Sequence, residues 1–254
     1  MQQPINKPLQ IGVDEVGRGP LLGRVYAAAV ILPDPASKEG QRFEFHRMKD
    51  SKKFHSEKKL KETADYIRQN AVQYSIQWRD EKHIDRVNIL QATQDAMHEA
   101  ITDVIAKQSH QPPVERSQPE RVERSQPEEV TDLINSLQEG LQISPKDLQN
   151  SPNFKIAVDG NYFRPFTDEN TGKFVPYECI IQGDATHPTI AAASIIAKVA
   201  RDQYIADLCN EFPELVEKYD LAKNKGYGTK RHRDGIQQHG ITEWHRTSFR
   251  NKGT

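Results

Sequence analysis

The sequence predicts an α/β fold, and three patterns predict it. Short apolar runs end on acidic residues, longer stretches carry helical periodicity, and Gly- or Pro-marked turns separate the two kinds. Ile11 and Val13 alternate into Asp14, and Val25 to Leu32 is continuously apolar, so two strands are expected on either side of the turn Gly17–Gly23. Ser56 is placed to cap a helix in which Leu60, Ala64 and Ile67 share a face. Ala71 to Trp78 reads as a strand. From Asn88 to Ala106, Leu90, Met97, Ile101, Val104 and Ile105 describe an amphipathic helix. Phe154, Ile156 and Val158 alternate into Asp159, and Val175, Tyr177, Cys179 and Ile181 alternate towards Asp184. Pro188 then opens a helix through Ile190, Ala193, Ile196, Ala197 and Ala200.

The chain has 254 residues, enough for one large domain or two small ones with a full core. Lys and Arg total 35 against 36 Asp and Glu, a net charge of −1, so no global basic field points to a nucleic-acid partner. No window approaches the ~18 apolar residues of a membrane span. Met1 to Gln10 lacks the apolar run of a secretory signal, so a cytoplasmic location is expected. Cys179 and Cys209 are too few for a disulfide framework or a four-cysteine zinc site, and read as two buried thiols of a reducing compartment.

Hydrophobic residues make up 35% of the chain, low for a globular protein even with Gly counted in, and the shortfall is local. Residues 107–152 hold six prolines (Pro112, Pro113, Pro119, Pro127, Pro145 and Pro152) and the tandem repeat VERSQPE at 114–120 and 122–128. Such a stretch cannot build a packed core, and is expected to be a disordered insertion without a catalytic role. Only Val130, Leu133, Ile134, Leu137 and Leu141 keep a helical spacing, enough for one short docking helix at most. The tail from Lys223 to Thr254 carries eight basic residues against Asp234 and Glu243, a balance of +6. The neutral total therefore hides a polarised distribution of the kind that suits a phosphate backbone.

Carboxylates close three of the expected strands: Asp14 with Glu15, Asp159, and Asp184. Singly, such a residue is usually a helix cap or a turn former. If the strands are neighbours, four carboxylates converge at one end of the sheet, where ligands of α/β folds gather. Their repulsion then calls for protons or cations. Hard divalent ions with oxygen ligands fit, Mg²⁺ in particular. Two of them ~3.5–4 Å apart activate a water and stabilise the leaving oxygen in phosphodiester cleavage. The turn Gly17-Arg18-Gly19-Pro20 follows the first acidic pair directly. Its glycines let backbone approach a ligand, and Arg18 offers a donor fork to phosphate. It is not a dinucleotide fingerprint, because no third glycine stands at the required position.

Seven blocks stand out in order: Asp14-Glu15-Val16-Gly17-Arg18-Gly19-Pro20-Leu21, Asp50-Ser51-Lys52-Lys53, Val158-Asp159-Gly160, Gly183-Asp184 followed by Ile190 to Val199, Arg201-Asp202, Lys225 to Thr229, and His245-Arg246 with Ser248-Phe249. Together they resemble the ribonuclease HII family, in that family's order. The resemblance implies one ribonuclease H-like domain over 1–254, with a mixed central sheet flanked by helices. It implies cleavage of the RNA strand of RNA–DNA hybrids and incision 5′ to ribonucleotides embedded in duplex DNA. Asp14, Glu15, Asp159 and Asp184 would bind two Mg²⁺ or Mn²⁺ ions. Gly17, Arg18 and Gly19 would sense the 2′-hydroxyl, Lys52 would contact phosphate, and Tyr227 would pack on the sugar beyond the junction, with the basic tail 223–254 as substrate-binding segment. A monomer is expected.

The sister family, ribonuclease HIII, usually has a lysine in the turn and a sizeable domain before it, whereas here Arg18 occupies the turn and 13 residues precede Asp14. A hybrid-binding protein without catalysis is the non-enzyme alternative. The sequence departs from the family in Arg24, where proline is frequent, and in Ala185-Thr186-His187-Pro188-Thr189, which is less basic than expected. His187 beside Pro188 reads as a helix cap in preference to a proton carrier.

Overall fold

The computed structural model describes residues 8–54, 56–109 and 154–252, with Lys52, Ser109 and residues 250–252 described by backbone alone. The repeat and the short helix expected near Val130–Leu141 lie outside the described residues.

Among the described residues, five strands form a mixed sheet in the order β3-β2-β1-β4-β7. They are β1 (Leu9–Val16), β2 (Val25–Ile31), β3 (Gln73–Arg79), β4 (Phe154–Asp159) and β7 (Tyr177–Ile180). β1, β2 and β3 pair antiparallel, while β1, β4 and β7 run parallel. A hairpin of β5 (Phe166–Asp168) and β6 (Lys173–Val175) stands apart. This corrects the single strand expected from Val175 to Ile181. Pro176 has no N–H to give a ladder. Its carbonyl accepts the Ile156 N–H at 2.9 Å instead, and the chain changes sheets there. Val175 pairs with Phe166, and Tyr177 begins the pairing with β4.

Eight α-helical segments accompany the sheet among the described residues: α1 (Lys38–Arg42), α2 (Glu57–Asn70), α3 (Glu81–Ser109), α4 (Gly183–Thr186), α5 (Pro188–Glu211), α6 (Pro213–Tyr219), α7 (Leu221–Asn224) and α8 (Lys230–His239). Asn88, the expected start of a helix, interrupts α3 with a φ of 70°. Its side chain accepts the N–H groups of Leu90 and Gln91 at 2.9 and 3.1 Å, which is capping. The turns before it, from Glu81, were not anticipated. Ser56 occupies the N-cap position of α2, but its hydroxyl makes no cap bond; only its carbonyl takes part, accepting the Leu60 N–H. Pro188 is at the first turn of α5 as expected, and that helix runs well past Ala200.

Strand alternation sorts the core into two layers. Ile11, Val13, Ile156 and Val158 face α3, packing on Met97, Ile101 and Val104. Ala28 and Val30 face α2 and α5, packing on Ala64, Ile67, Ala193 and Ile196. Each fully buried Ile or Val of these layers contributes about 1.5–3 kcal/mol. Gly12 lies on the α5 side of β1, between Ile11 and Val13. A Cβ there would fall 2.2 Å from the Thr189 carbonyl carbon, so the first turn of α5 rests directly on the strand backbone. The second half of α5 leaves the sheet and joins α6, α7 and α8 around Leu22, Ile205, Leu215 and Tyr219.

Gly12→Ala is expected to push α5 off β1. The cost of such overpacking is about 1–3 kcal/mol, read as a lowered denaturant midpoint; an unchanged midpoint would show that the helix shifts freely.

Candidate active site

The pairing of β1 with β4 sets Val13 beside Val158, so Asp14 and Asp159 leave the sheet as neighbours at the same end and on the α5 face. Asp14 is 4% exposed. It accepts the N–H of Glu15 at 2.7 Å and a hydrogen bond from the hydroxyl of Ser194 on α5. Ser194 Oγ lies 3.1 Å from Ser51 Oγ, which ties the Asp50-Ser51-Lys52-Lys53 block to the carboxylate. Burial, then the charges of Glu15 and Asp159, push the Asp14 carboxyl well above the usual range, against the pull of Ser194. Burial also raises Glu15, partly offset by Arg18, whose Nη1 is 3.2 Å from Glu15 Oε1.

Asp184 reaches the site by a route that differs from the expected strand end. β7 stops at Ile180, Gln182 takes a left-handed conformation, and Asp184 lies buried on the four-residue helix α4. Asp159 Oδ1 accepts the N–H groups of Gly183 at 2.7 Å and of Asp184 at 3.4 Å, so this carboxylate fixes the turn that carries the next. The four acidic residues thus lie at one end of the sheet. Among the described residues, however, no three His, Cys, Asp or Glu side chains close around a common point as ligands do. Glu15 is turned onto Arg18, and Asp159 onto Gly183. The donor set is nonetheless all oxygen, and a buried carboxylate with two anionic neighbours is the situation a hard cation relieves.

The Gly-Arg-Gly turn lies beside this pair. Gly17 has a φ of 93°, and a Cβ on it would fall 2.3 Å from Arg201 Nε. No other residue combines that conformation with that contact. Two buried arginines hold the turn by its carbonyls. Arg246 donates to Gly17, Arg18 and Gly23 at 2.7, 2.9 and 2.8 Å. Arg201 donates to Arg24, Leu22 and Lys225. The ring of Tyr227 stands beside Gly19, with Cε1 3.6 Å from where a Cβ would be, and is 44% exposed. The structure therefore brings Gly17, Arg18, Gly19 and Tyr227 together; Lys52 lies in the 3₁₀ turn Ser51–Lys53, and its side chain is outside the described residues.

Two further expectations need correction, and the departure at Arg24 has a structural setting. Arg246, counted with the basic tail, is buried and faces protein carbonyls, while Lys230 and Arg231 pair with Asp234 and Asp220, so the tail offers less free charge than its composition implies. His187 occupies the N-cap position of α5 without a side-chain cap bond; its Nδ1 is 2.9 Å from Thr186 Oγ1. Arg24 stacks between Trp78 and Tyr204, 3.8 and 4.5 Å from the ring centres. Sequence reasoning missed Ser194, Arg201 and Arg246 as parts of the site. Each stood in a recognisable block, but only the tertiary contacts reveal what it touches.

This mixed sheet, with acidic residues where β1 and β4 end and a glycine-rich turn beside them, defines a nuclease of the ribonuclease H-like class. The sequence pattern of the family described as Ribonuclease HII matches residues 11–135 and 130–252. The chain belongs to the ribonuclease HII family and is a ribonuclease H endonuclease. Its relatives include the ribonuclease HII of Parabacteroides distasonis, 34% identical over 95% of this chain and 89% of the relative. That of Oceanobacillus iheyensis is 36% identical over 94% and 67%. Among solved structures, the PCNA:RNase HII complex of Archaeoglobus fulgidus aligns with a TM-score of 0.59 at 20% identity, over 97% of both chains. Ribonuclease H2 of Pyrococcus horikoshii gives 0.59 at 20% identity, over 95% and 93%.

The raised carboxyl of Asp14 has a thermodynamic signature. Its folded-state value lies above that of the unfolded chain, so the folded protein holds its proton longer, and stability falls as pH rises through that window. In metal-free protein, Asp14→Asn is expected to raise Tm by several degrees at neutral pH. The gain should shrink towards zero below about pH 4, the ordinary Asp value. Equal Tm values across this range would show that the carboxylate is not penalised by its surroundings.

Proposed function

We propose that this enzyme incises duplex DNA 5′ to embedded ribonucleotides and cleaves the RNA strand of RNA–DNA hybrids, using two Mg²⁺ or Mn²⁺ ions held by Asp14, Glu15, Asp159 and Asp184. The observation that carries the reading is the placement of Asp14 beside Asp159 by strand register, with the Gly17-Arg18-Gly19 turn and Tyr227 alongside. When bound, the ions supply an activated water and charge stabilisation at the leaving oxygen. The chain's own residues do the rest. Ser194 orients Asp14, and the glycines bring main chain against the sugar–phosphate strand. The 2′-hydroxyl is the group that distinguishes RNA from DNA there. Tyr227 presents a flat face to the next sugar, and Lys52 is read as a phosphate contact. We read the enzyme as a cytoplasmic monomer. Among the described residues, no helix is long and apolar enough to cross a membrane.

The test is a duplex with one embedded ribonucleotide, in Mg²⁺ or Mn²⁺. Wild type is expected to nick on the 5′ side of the ribonucleotide. Asp14→Asn should lower the rate at least about 100-fold, the scale seen when one charge-stabilising group is removed from a transition state. Absence of nicking by wild type, or undiminished nicking by the variant, rejects the reading.

Binding should weaken linearly in log–log terms as salt rises and counterions are displaced. With Arg246 buried and Lys230 and Arg231 paired, the slope is expected to be shallower than eight tail charges imply. Anisotropy titrations in Ca²⁺ at a series of salt concentrations read it directly.

A further inference from the structure

The two parts of the proposed substrate grip are held together by a segment from the far end of the chain. Leu22 forms an antiparallel bridge with His245. Gly23 N–H donates to the Trp244 carbonyl, and Arg246 N–H donates to that of Leu21, at 2.9 and 2.8 Å. On the other side of the turn, Leu21 N–H donates to the Gly226 carbonyl, next to Tyr227, at 2.8 Å. Arg246 then spends its guanidinium on Gly17, Arg18 and Gly23. Its charge is offset at longer range by the buried Glu81.

His245 points the opposite way. It is buried, and its Nε2 lies 3.1 Å from Nε2 of the fully buried His232. His232 Nδ1 is 3.0 Å from the Tyr227 carbonyl. The partners fix the protons. A backbone N–H, that of Thr242, donates to His245 Nδ1 at 3.0 Å, so this nitrogen is an acceptor and the ring's proton is on Nε2. A carbonyl accepts only, so His232 Nδ1 carries a proton and its Nε2 receives the one from His245. The result is a one-way chain of hydrogen bonds, Thr242 to His245 to His232 to Tyr227, through two neutral rings. Burial lowers the His232 pKa and favours that neutral form. Tyr219 closes over both rings, its centroid 5.9 Å from His232 and 5.0 Å from His245.

We infer that His245 and Arg246 are paired positioning residues: Arg246 sets the Gly17-Arg18-Gly19 turn, His245 sets Tyr227 through His232, and together they fix the gap in which a single ribonucleotide is registered. The inference rests on the substrate reading given above and names what controls its selectivity. Neither residue touches substrate. Arg246 cannot be exchanged for lysine without loss, because one ammonium does not reach three carbonyls in a fixed fork.

Two measurements test it. In wild-type protein, long-range ¹H–¹⁵N spectra are expected to show His232 protonated at Nδ1 and His245 at Nε2; the opposite tautomer at either ring overturns the relay. In kinetics, Arg246→Lys and His232→Phe are compared with wild type on a duplex holding one ribonucleotide and on a continuous hybrid tract, at a temperature where melting curves show each variant folded. A tract offers many equivalent registers and tolerates a misplaced gap. The ratio of kcat/KM for the single site to that for the tract should therefore fall at least about 5-fold, chiefly through KM for the single site. An equal loss on both substrates, or no loss, would mean a purely structural role and overturn the inference. Should either variant fail to fold, Thr242→Val takes its place; it removes the hydroxyl 2.8 Å from His245 Nδ1 and should shift the ratio in the same direction, an unchanged ratio again overturning the inference. Wild type that cuts neither duplex would instead reject the proposed function, and the tautomers would still decide the relay.

Discussion

The parallel pairing of β1 with β4 is the constraint on which the rest of the molecule depends. It sets two carboxylates side by side at one end of a sheet, one of them, Asp14, almost wholly out of water. Their repulsion is unfavourable to the folded protein, and the surroundings answer it piecemeal. Ser194 and the Glu15 amide stabilise Asp14, Arg18 draws on Glu15, and the amides of Gly183 and Asp184 converge on Asp159. Gly12 makes the arrangement reachable, since it lets α5 come close enough for Ser194 to meet Asp14.

The positive side of the site is built on a different principle. Arg201 and Arg246 are both buried and both directed at main-chain carbonyls. Their fork geometry satisfies oxygens that a tight, glycine-rich loop cannot pair internally. Net charge is therefore a poor guide to this protein. The acidic groups gather at one end of the sheet, while part of the basic tail is consumed as internal scaffold.

Most of the sheet was legible because strands buried on both faces show as apolar runs, as Val25 to Ile31 does, and because Asp14 and Asp159 punctuate theirs. The break at Pro176 was the main misreading. The alternation of Val175, Tyr177 and Cys179 carries no mark of a change of sheet, although the proline between the first two was such a signal. Asp184 was expected at a strand end but sits on a helical turn. The glycine-rich turn was visible in the local pattern. Its supports were not, because Arg246 and His245 lie more than 220 residues from Gly17 and nothing in their own neighbourhood says what they face.

The place where the long polar segment joins the fold also has a consequence. α3 descends from the carboxylate end, with Asp95 near Arg79 and Asp103 near Ser75, and finishes at Ser109. The next described strand starts at Phe154, beside Leu9 at the opposite margin of the sheet. The chain therefore departs and returns roughly 17 Å of strand away from Asp159, at about 3.3 Å per residue. A connection that starts and finishes at that margin can differ in length at little cost, with the register of β1 on β4 set elsewhere.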